Sequence, residues 1–192
     1  MRQEVIAISG GIGSGKSVVS RILTQMGFPV YDCDSQAKLL MDKNEKIKNE
    51  IRSKIDPNVI ANGIIDRKRL GQIVFNDSEA LKTLNEIVHE AVRNDIKSWI
   101  KHTTSTKLFI ETAILYQSGI DRMVDAVWEI YAPTETRISR VIKRNGFSRE
   151  EVISRINSQN ITIYEKHHKT SVITNDDILP VLPQINFLLK SN

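Results

Sequence analysis

An α/β fold built on an open parallel sheet is what this 192-residue sequence predicts, and three observations carry that expectation. Apolar segments such as Val5-Ile6-Ala7-Ile8, Leu108-Phe109-Ile110 and Ala126-Val127-Trp128 read as strands covered on both faces. Other segments repeat apolar residues at helical spacing, as in Val18, Val19, Ile22, Leu23 and Met26. Between the first strand and the first helix lies Gly10-Gly11-Ile12-Gly13-Ser14-Gly15-Lys16-Ser17, which fits G-x-x-x-x-G-K-[ST].

That glycine-rich stretch has a specific physical use. Glycines let the backbone curl so that successive N–H groups face one anion, and the helix N-terminus adds its partial positive charge. Gly11, Ile12, Gly13, Ser14, Gly15, Lys16 and Ser17 are the expected cradle for nucleotide phosphates. Lys16 is expected to reach the β- and γ-phosphates, and Ser17 to hold Mg²⁺. A glycine-rich hairpin with a stray lysine is the plainer alternative; it leaves the strand–loop–helix context unexplained.

Composition narrows the class. A chain of this length is one domain of ordinary size with room for a helical insertion, and it should bury roughly 70% of its unfolded surface. Cys33 is the only cysteine, which excludes an intramolecular disulfide and a cysteine-cluster metal site and suits a reducing cytoplasm. No apolar run approaches the ~18–20 residues of a membrane span, and residues 1–9 do not resemble a signal peptide. The expectation is a cytoplasmic protein with no membrane partner. Net charge is +4, from 27 Lys and Arg against 23 Asp and Glu. That mild excess suits small polyphosphate ligands, and no RNP pattern, zinc-finger spacing or basic arm makes nucleic acid an expected partner.

Taken in order, the first helix stops at Met26-Gly27-Phe28-Pro29, with Gly27 as its cap. Val30-Tyr31 begins a second strand ending at Asp32-Cys33-Asp34. Strand C-termini line the ligand crevice of an open parallel sheet, so Asp32 and Asp34 are expected to face it. A carboxylate there can take a proton from a substrate hydroxyl or order water around Mg²⁺. The alternative is N-capping of the following helix by Asp34 or Ser35.

Residues 35–102 read as mainly helical, with breaks at Asp56-Pro57-Asn58 and Asn62-Gly63. Asp66 caps a helix carrying Leu70, Ile73, Val74 and Phe75, and Asn76-Asp77-Ser78 introduces a long one. This exceeds what one strand-to-strand crossover needs, so it reads as an inserted helical subdomain for a second substrate. Arg67, Lys68 and Arg69 stand at a helix start, where cations oppose the dipole; a bound anion or a solvated face are the two readings. His89, with Glu86, Glu90 and Arg93 three or four residues away, reads from the spacing alone as a surface or packing residue.

Lys107-Leu108-Phe109-Ile110-Glu111 ends a strand in a carboxylate that can order the water shell of Mg²⁺ or simply terminate the strand. After Pro133, a helix bears Arg137, Arg140 and Arg144 on one face. Asn145-Gly146-Phe147 breaks it, and Ser148-Arg149-Glu150-Glu151 opens another helix as a capping box. An arginine row beside a glycine hinge suits a lid over triphosphate, and a solvated amphipathic helix is the alternative. His167 and His168 have no metal-ligand spacing around them. Val172-Ile173-Thr174-Asn175 reads as the last strand. Leu179 to Leu189 reads as a closing helix with Pro180 and Pro183 in its first turn.

These segments together resemble the dephospho-coenzyme A kinase family over nearly the whole chain. The matches are Gly10 to Ser17, Asp32-Cys33-Asp34, the run from Asn62-Gly63-Ile64-Ile65-Asp66-Arg67 through Leu70 to Val74-Phe75, and Leu84 to His89. Arg140, Arg144, Ser148, Glu150, Arg155-Ile156 and Gln159 match the lid pattern, and Val172 to Asn175 the closing strand. The resemblance implies a three-layer α/β/α P-loop NTPase core with a five-stranded parallel sheet, a helical substrate-binding insertion and a helical lid. It implies that 1–34, 103–136 and 170–192 form the nucleotide-binding core, 35–102 the acceptor-binding subdomain and 137–169 the lid. The implied reaction moves a phosphoryl group from ATP, with Mg²⁺, to the ribose 3′-hydroxyl of dephospho-coenzyme A, the last step of coenzyme A synthesis.

By matched position, Asp34 is the base, Lys16 and Arg140 stabilise the transferring phosphoryl, and Ser17 ligates the metal, with Glu111 at its strand end the further residue expected to serve it. Arg144 and Asn175 join the loop in holding nucleotide, while Asp32, Arg67 and His89 meet the acceptor. The expected assembly is a monomer or weak homo-oligomer. Four departures stand out: Glu90 follows His89 where the family has proline, and Ala113-Ile114-Leu115-Tyr116-Gln117 replaces P-L-L-[FV]-E. Asn145 follows Arg144 in place of aspartate, and Asp176-Asp177 replaces the glycine after Asn175. Rival readings are another small-molecule kinase on the same core, a GTP-dependent switch, for which N-K-x-D and D-x-x-G segments are missing, and a nucleic-acid-binding ATPase.

Overall fold

The computed structural model describes residues 2–159 and 166–191; part of the 137–169 segment read as a lid therefore lies outside the described residues. The chain divides into two compact units, one made of residues 1–31 with 104–192 and the other of residues 32–103.

The first unit is organised by a five-stranded sheet. Its strands are β1 (Glu4–Ser9), β2 (Val30–Asp32), β5 (Lys107–Glu111), β6 (Ala126–Tyr131) and β7 (Thr170–Thr174), in spatial order β2-β5-β1-β6-β7. β1 pairs in parallel with β5 and β6, and β6 in parallel with β7. β1 is central because its Val5-Ile6-Ala7-Ile8 core is buried on both faces, as a strand flanked by helices requires. Ile6, Ile8, Phe109, Trp128 and Ile173 form the main core with Val19 and Leu23 of α1 (Lys16–Gln25) and Ile185 of α8 (Val181–Lys190). The Phe109 ring meets Trp128 at 5.1 Å and Phe28 edge-on at 5.5 Å, geometries that aromatic quadrupoles favour.

Local chemistry sets the element ends. α1 closes as a Schellman motif: the Gly27 N–H donates to the Thr24 carbonyl and the Phe28 N–H to that of Leu23, both at 3.0 Å, with Gly27 at φ +87°. Between α6 (Thr134–Asn145) and α7 (Arg149–Gln159) the capping box forms as expected. The Glu151 N–H donates to Ser148 Oγ at 3.2 Å, and the Ser148 N–H to the Glu151 carboxylate at 2.8 Å. Ile138, Val141, Val152 and Ile156 seal these two helices together. At the C-terminal end α8 starts at Val181, so Pro180 is its N-cap residue and only Pro183 falls within the first turn.

The second unit has its own core of Ile47, Ile51, Val59, Ile65, Leu70 and Ile87. It comprises α2 (Cys33–Lys43), α3 (Glu45–Lys54), a hairpin of β3 (Ile60–Ala61) and β4 (Ile64–Ile65), α4 (Arg67–Asn76) and α5 (Ser78–His102). The Asn62-Gly63 turn closes that hairpin, with both residues at positive φ as a two-residue primed turn demands. Asp66 caps α4 by accepting from the Arg69 N–H at 2.9 Å, and Asp77 caps α5 by accepting from Glu79 and Ala80. Two expectations need correction. Asp32, rather than Asp34 or Ser35, caps α2, and Asn44 caps a separate α3 where the mainly helical reading marked no break before Asp56. Phe75 of α4 is 88% exposed, while Ile73 and Val74 beside it pack on the core of this unit.

Candidate active site

The loop from Gly10 to Gly15 leaves the C-terminal end of the central strand and turns directly into α1. Gly15 occupies the N-cap position at φ +96°, so no side chain caps the helix and no acid stands in its first turn. The helix end is therefore left to attract an anion through its N–H groups and dipole. Side chains are excluded here by crowding as well as by φ. A Cβ on Gly13 (φ +78°) would lie 2.6 Å from the Arg137 carbonyl oxygen, and one on Gly15 would collide with the Asn175 amide.

α6, α7 and the end of β7 hold the loop from its carbonyl side. Arg137 Nε donates to the Ile12 carbonyl at 2.9 Å, and the Ile12 N–H donates to Gln159 Oε1 at 2.8 Å. Burial pushes the Arg137 guanidinium below its ordinary value, but an arginine stays protonated. Arg140 reaches the Gly13 and Ser14 carbonyls, both at 3.4 Å. The buried Asn175 amide donates to the Ser14 carbonyl at 2.8 Å. These contacts tie down the Ile12, Gly13 and Ser14 carbonyls of the loop. Lys16 Nζ donates to the Gly10 carbonyl at 2.8 Å, which stations its ammonium over the loop's entrance.

The oxygen donors expected for a metal are consistent with magnesium chemistry. Ser17 is exposed in the first turn of α1, and Glu111 closes β5 opposite Ile8, next to the point where β1 becomes the loop. Mg²⁺ takes few protein ligands and completes its shell with water and phosphate oxygens, so a hydroxyl and a carboxylate are a sufficient set. Ser14 Oγ is buried without a hydrogen-bond partner among the described residues, a polar atom beside the loop that a phosphate or water would satisfy. Arg144, by contrast, is exposed and donates from Nε to Asn145 Oδ1 at 2.8 Å, not to the loop. A cavity of about 270 Å³ opens beside the loop, lined by Ser9, Gly10, Tyr116, Gln117, Glu129 and Lys166. Lys166 and Glu129 pair across it at 2.8 Å, and that hydrogen bond raises the lysine above its ordinary value.

In the second unit, Asp32 spends its carboxylate on capping: it accepts from the Asp34 and Ser35 N–H groups at 3.0 and 3.2 Å and from Ser35 Oγ at 2.6 Å. Asp34 lies exposed in the first turn of α2, its carboxylate unpaired among the described residues. The cations opposing the α4 dipole meet internal carboxylates, Arg67 with Asp42 at 2.7 Å and Arg69 with Asp56 at 2.8 Å. His89 is half-buried on α5; burial, and then the Arg93 charge, push its imidazole below the ordinary 6.5. Glu90 pairs with Lys46 at 3.7 Å, which gives the residue replacing proline a surface role.

The family profile described as dephospho-CoA kinase matches residues 4–180. The chain belongs to the dephospho-CoA kinase family. Members use ATP as phosphoryl donor and carry out the final step of coenzyme A biosynthesis, and this chain has that activity. It is 41% identical to the dephospho-CoA kinase of Porphyromonas gingivalis over 154 residues, which cover 80% of this chain and 76% of that one. It is 36% identical to the Bacteroides fragilis enzyme over 182 residues, covering 94% and 88%. Among solved structures, a Thermus thermophilus protein superposes with a TM-score of 0.78 at 31% identity, covering 100% of this chain and 96% of that one. A dephospho-CoA kinase from Campylobacter jejuni superposes at 0.68 with 28% identity, each chain covered to 98%.

Set within the dephospho-CoA kinase family, the loop contacts include residues that spacing alone left without individual roles. Arg137 was visible only as one of three helical arginines, and Gln159 only as part of a pattern. Nothing in local sequence singles out Glu129 and Lys166, which come together from positions 37 residues apart.

Proposed function

We propose that this protein performs its family's reaction with the division of labour that its two groups of residues support. The γ-phosphoryl group of ATP passes to the 3′-hydroxyl oxygen of dephospho-coenzyme A. The bond to the bridging oxygen of ADP breaks, and the hydroxyl proton goes to Asp34. The observation that carries this reading is the loop from Gly10 to Ser17, which combines an uncapped helix N-terminus with Lys16. Lys16 and Arg140 balance the charge that spreads over the transferring group, a reaction that depends mostly on positioning and electrostatics. Asn175 maintains the loop's shape through Ser14, and Arg144 extends the cationic face of α6 toward nucleotide.

Ser17 and Glu111 are the residues that would hold Mg²⁺, directly or through water; the ion supplies charge neutralisation to the phosphates. Asp34 is the base because its carboxylate is exposed and unpaired, whereas the Asp32 carboxylate is occupied by three donors. Arg67 and His89 are assigned to the acceptor, with Arg67 exchanging Asp42 for a phosphate. Residues 35–102 serve as the acceptor-binding part and 137–169 as the lid.

An acceptor panel tests the specificity. Purified protein with Mg-ATP should form ADP in equal amount with 3′-phosphorylated dephospho-coenzyme A, and it should leave AMP, shikimate and gluconate essentially unphosphorylated. A strong preference for any of those three would refute the assignment.

A further inference from the structure

Arg140 touches four acceptors, and one of them stands apart. Its contacts to the Gly13 and Ser14 carbonyls and to Asn175 Oδ1, at 3.4, 3.4 and 3.3 Å, are at the long limit of hydrogen bonding. The fourth, Nη2 to Asp177 Oδ1 at 2.5 Å, is short and joins opposite charges. Asp177 is presented for this contact by unusual backbone. Its φ of +68° lies in the left-handed region, where side chains are disfavoured and aspartate and asparagine are the best-tolerated after glycine. The neighbouring Asp176 carboxylate fixes the bend by accepting from the Ile178 and Leu179 N–H groups at 3.0 and 2.8 Å. A disfavoured backbone angle persists where the surroundings hold it, and here the result is a carboxylate delivered to Arg140.

We propose that Asp177 is a positioning residue that competes with the donor phosphates for Arg140 and thereby sets how tightly the protein holds ATP. The proposal rests on the reading that Arg140 meets nucleotide phosphate. A guanidinium has a fixed planar fork of donors, and the edge carrying Nη2 is committed to Asp177 and Asn175. A phosphate oxygen that takes up that edge displaces the carboxylate. The Asp177 side chain is 70% exposed, so solvent screens the pair and the exchange is shallow. The latch therefore weakens ATP binding without blocking it, by about two- to fivefold.

Asp177→Asn is the decisive variant, because asparagine tolerates the same backbone angle and keeps the shape while removing the charge. KM for ATP, direct ATP binding by calorimetry and KM for dephospho-coenzyme A are measured in this variant, in Arg140→Ala and in the double variant. The expected result is a two- to fivefold tighter ATP interaction, no change for dephospho-coenzyme A, and loss of the effect when Arg140 is absent. Asp177→Gly, which relaxes the backbone outright, should shift ATP binding the same way. An unchanged or weaker ATP interaction in Asp177→Asn, or a gain that survives Arg140→Ala, would overturn the proposal. If Arg140→Ala itself leaves ATP binding untouched, the underlying reading of Arg140 fails, an outcome distinct from failure of the latch alone.

Discussion

Two acids flanking Cys33, Asp32 and Asp34, show how residue roles separate within three positions of chain. The carboxylate of Asp32 is committed to backbone N–H groups and Ser35, whereas that of Asp34 is unpaired among the described residues. Asp34→Asn should therefore lower turnover by roughly 10²–10⁴ with ATP affinity nearly unchanged, as measured by steady-state kinetics and calorimetry. An undiminished rate would remove Asp34 from the chemistry. His89 makes a separate prediction about pH. Its imidazole is pushed below the ordinary 6.5 by burial and Arg93, so the unfolded chain binds the proton more readily than the folded one. The contribution of His89 to stability is full above pH 6.5 and is lost as pH falls below it toward the depressed folded-state value. His89→Gln should flatten the acid limb of the denaturation midpoint plotted against pH; an identical slope in both proteins would remove His89 as its source.

At the level of elements, α6 and α7 hold the phosphate loop as a bracket. Ile138, Val141, Val152 and Ile156 keep the two helices together, Ile12 packs against them, and Gln159 takes the Ile12 amide. Truncating the buried Ile156 to alanine should cost about 2–5 kcal/mol in a denaturant titration and weaken ATP binding more than acceptor binding. Equal losses for both substrates would mean that the bracket does not act through the loop. Much of this layer was legible in the sequence. Gly27, Asp66, Asp77 and the Ser148–Glu151 box all act through neighbours within a few residues, so local spacing reveals them. The capping alternative fell on Asp34 or Ser35 where Asp32 caps α2, because any of the three can cap a helix and only the backbone path decides which does. Phe75, 88% exposed, shows that an apolar residue within a helix need not be covered. Arg137, Asp177 and the Glu129–Lys166 pair act over long sequence separation, where no local pattern exists to be read.

For the whole molecule, the sheet order β2-β5-β1-β6-β7 places the phosphate loop at the end of the central strand, where connections turn from one side of the sheet to the other. Ligand crevices of open α/β sheets form at that point, which is why one short motif carried so much information about the fold. The second unit is one uninterrupted run, residues 32–103, while the first is assembled from both sides of it. This arrangement has a consequence for birth on the ribosome. β1 emerges first, but both of its partners, β5 and β6, are encoded after the entire second unit. Nascent chain grows at about 5–20 residues per second, so the roughly 100 residues of chain between β1 and β5 keep the central strand without a neighbour for about 5–20 seconds. During that interval the apolar Val5-Ile6-Ala7-Ile8 run is the segment a nascent-chain chaperone has to shield.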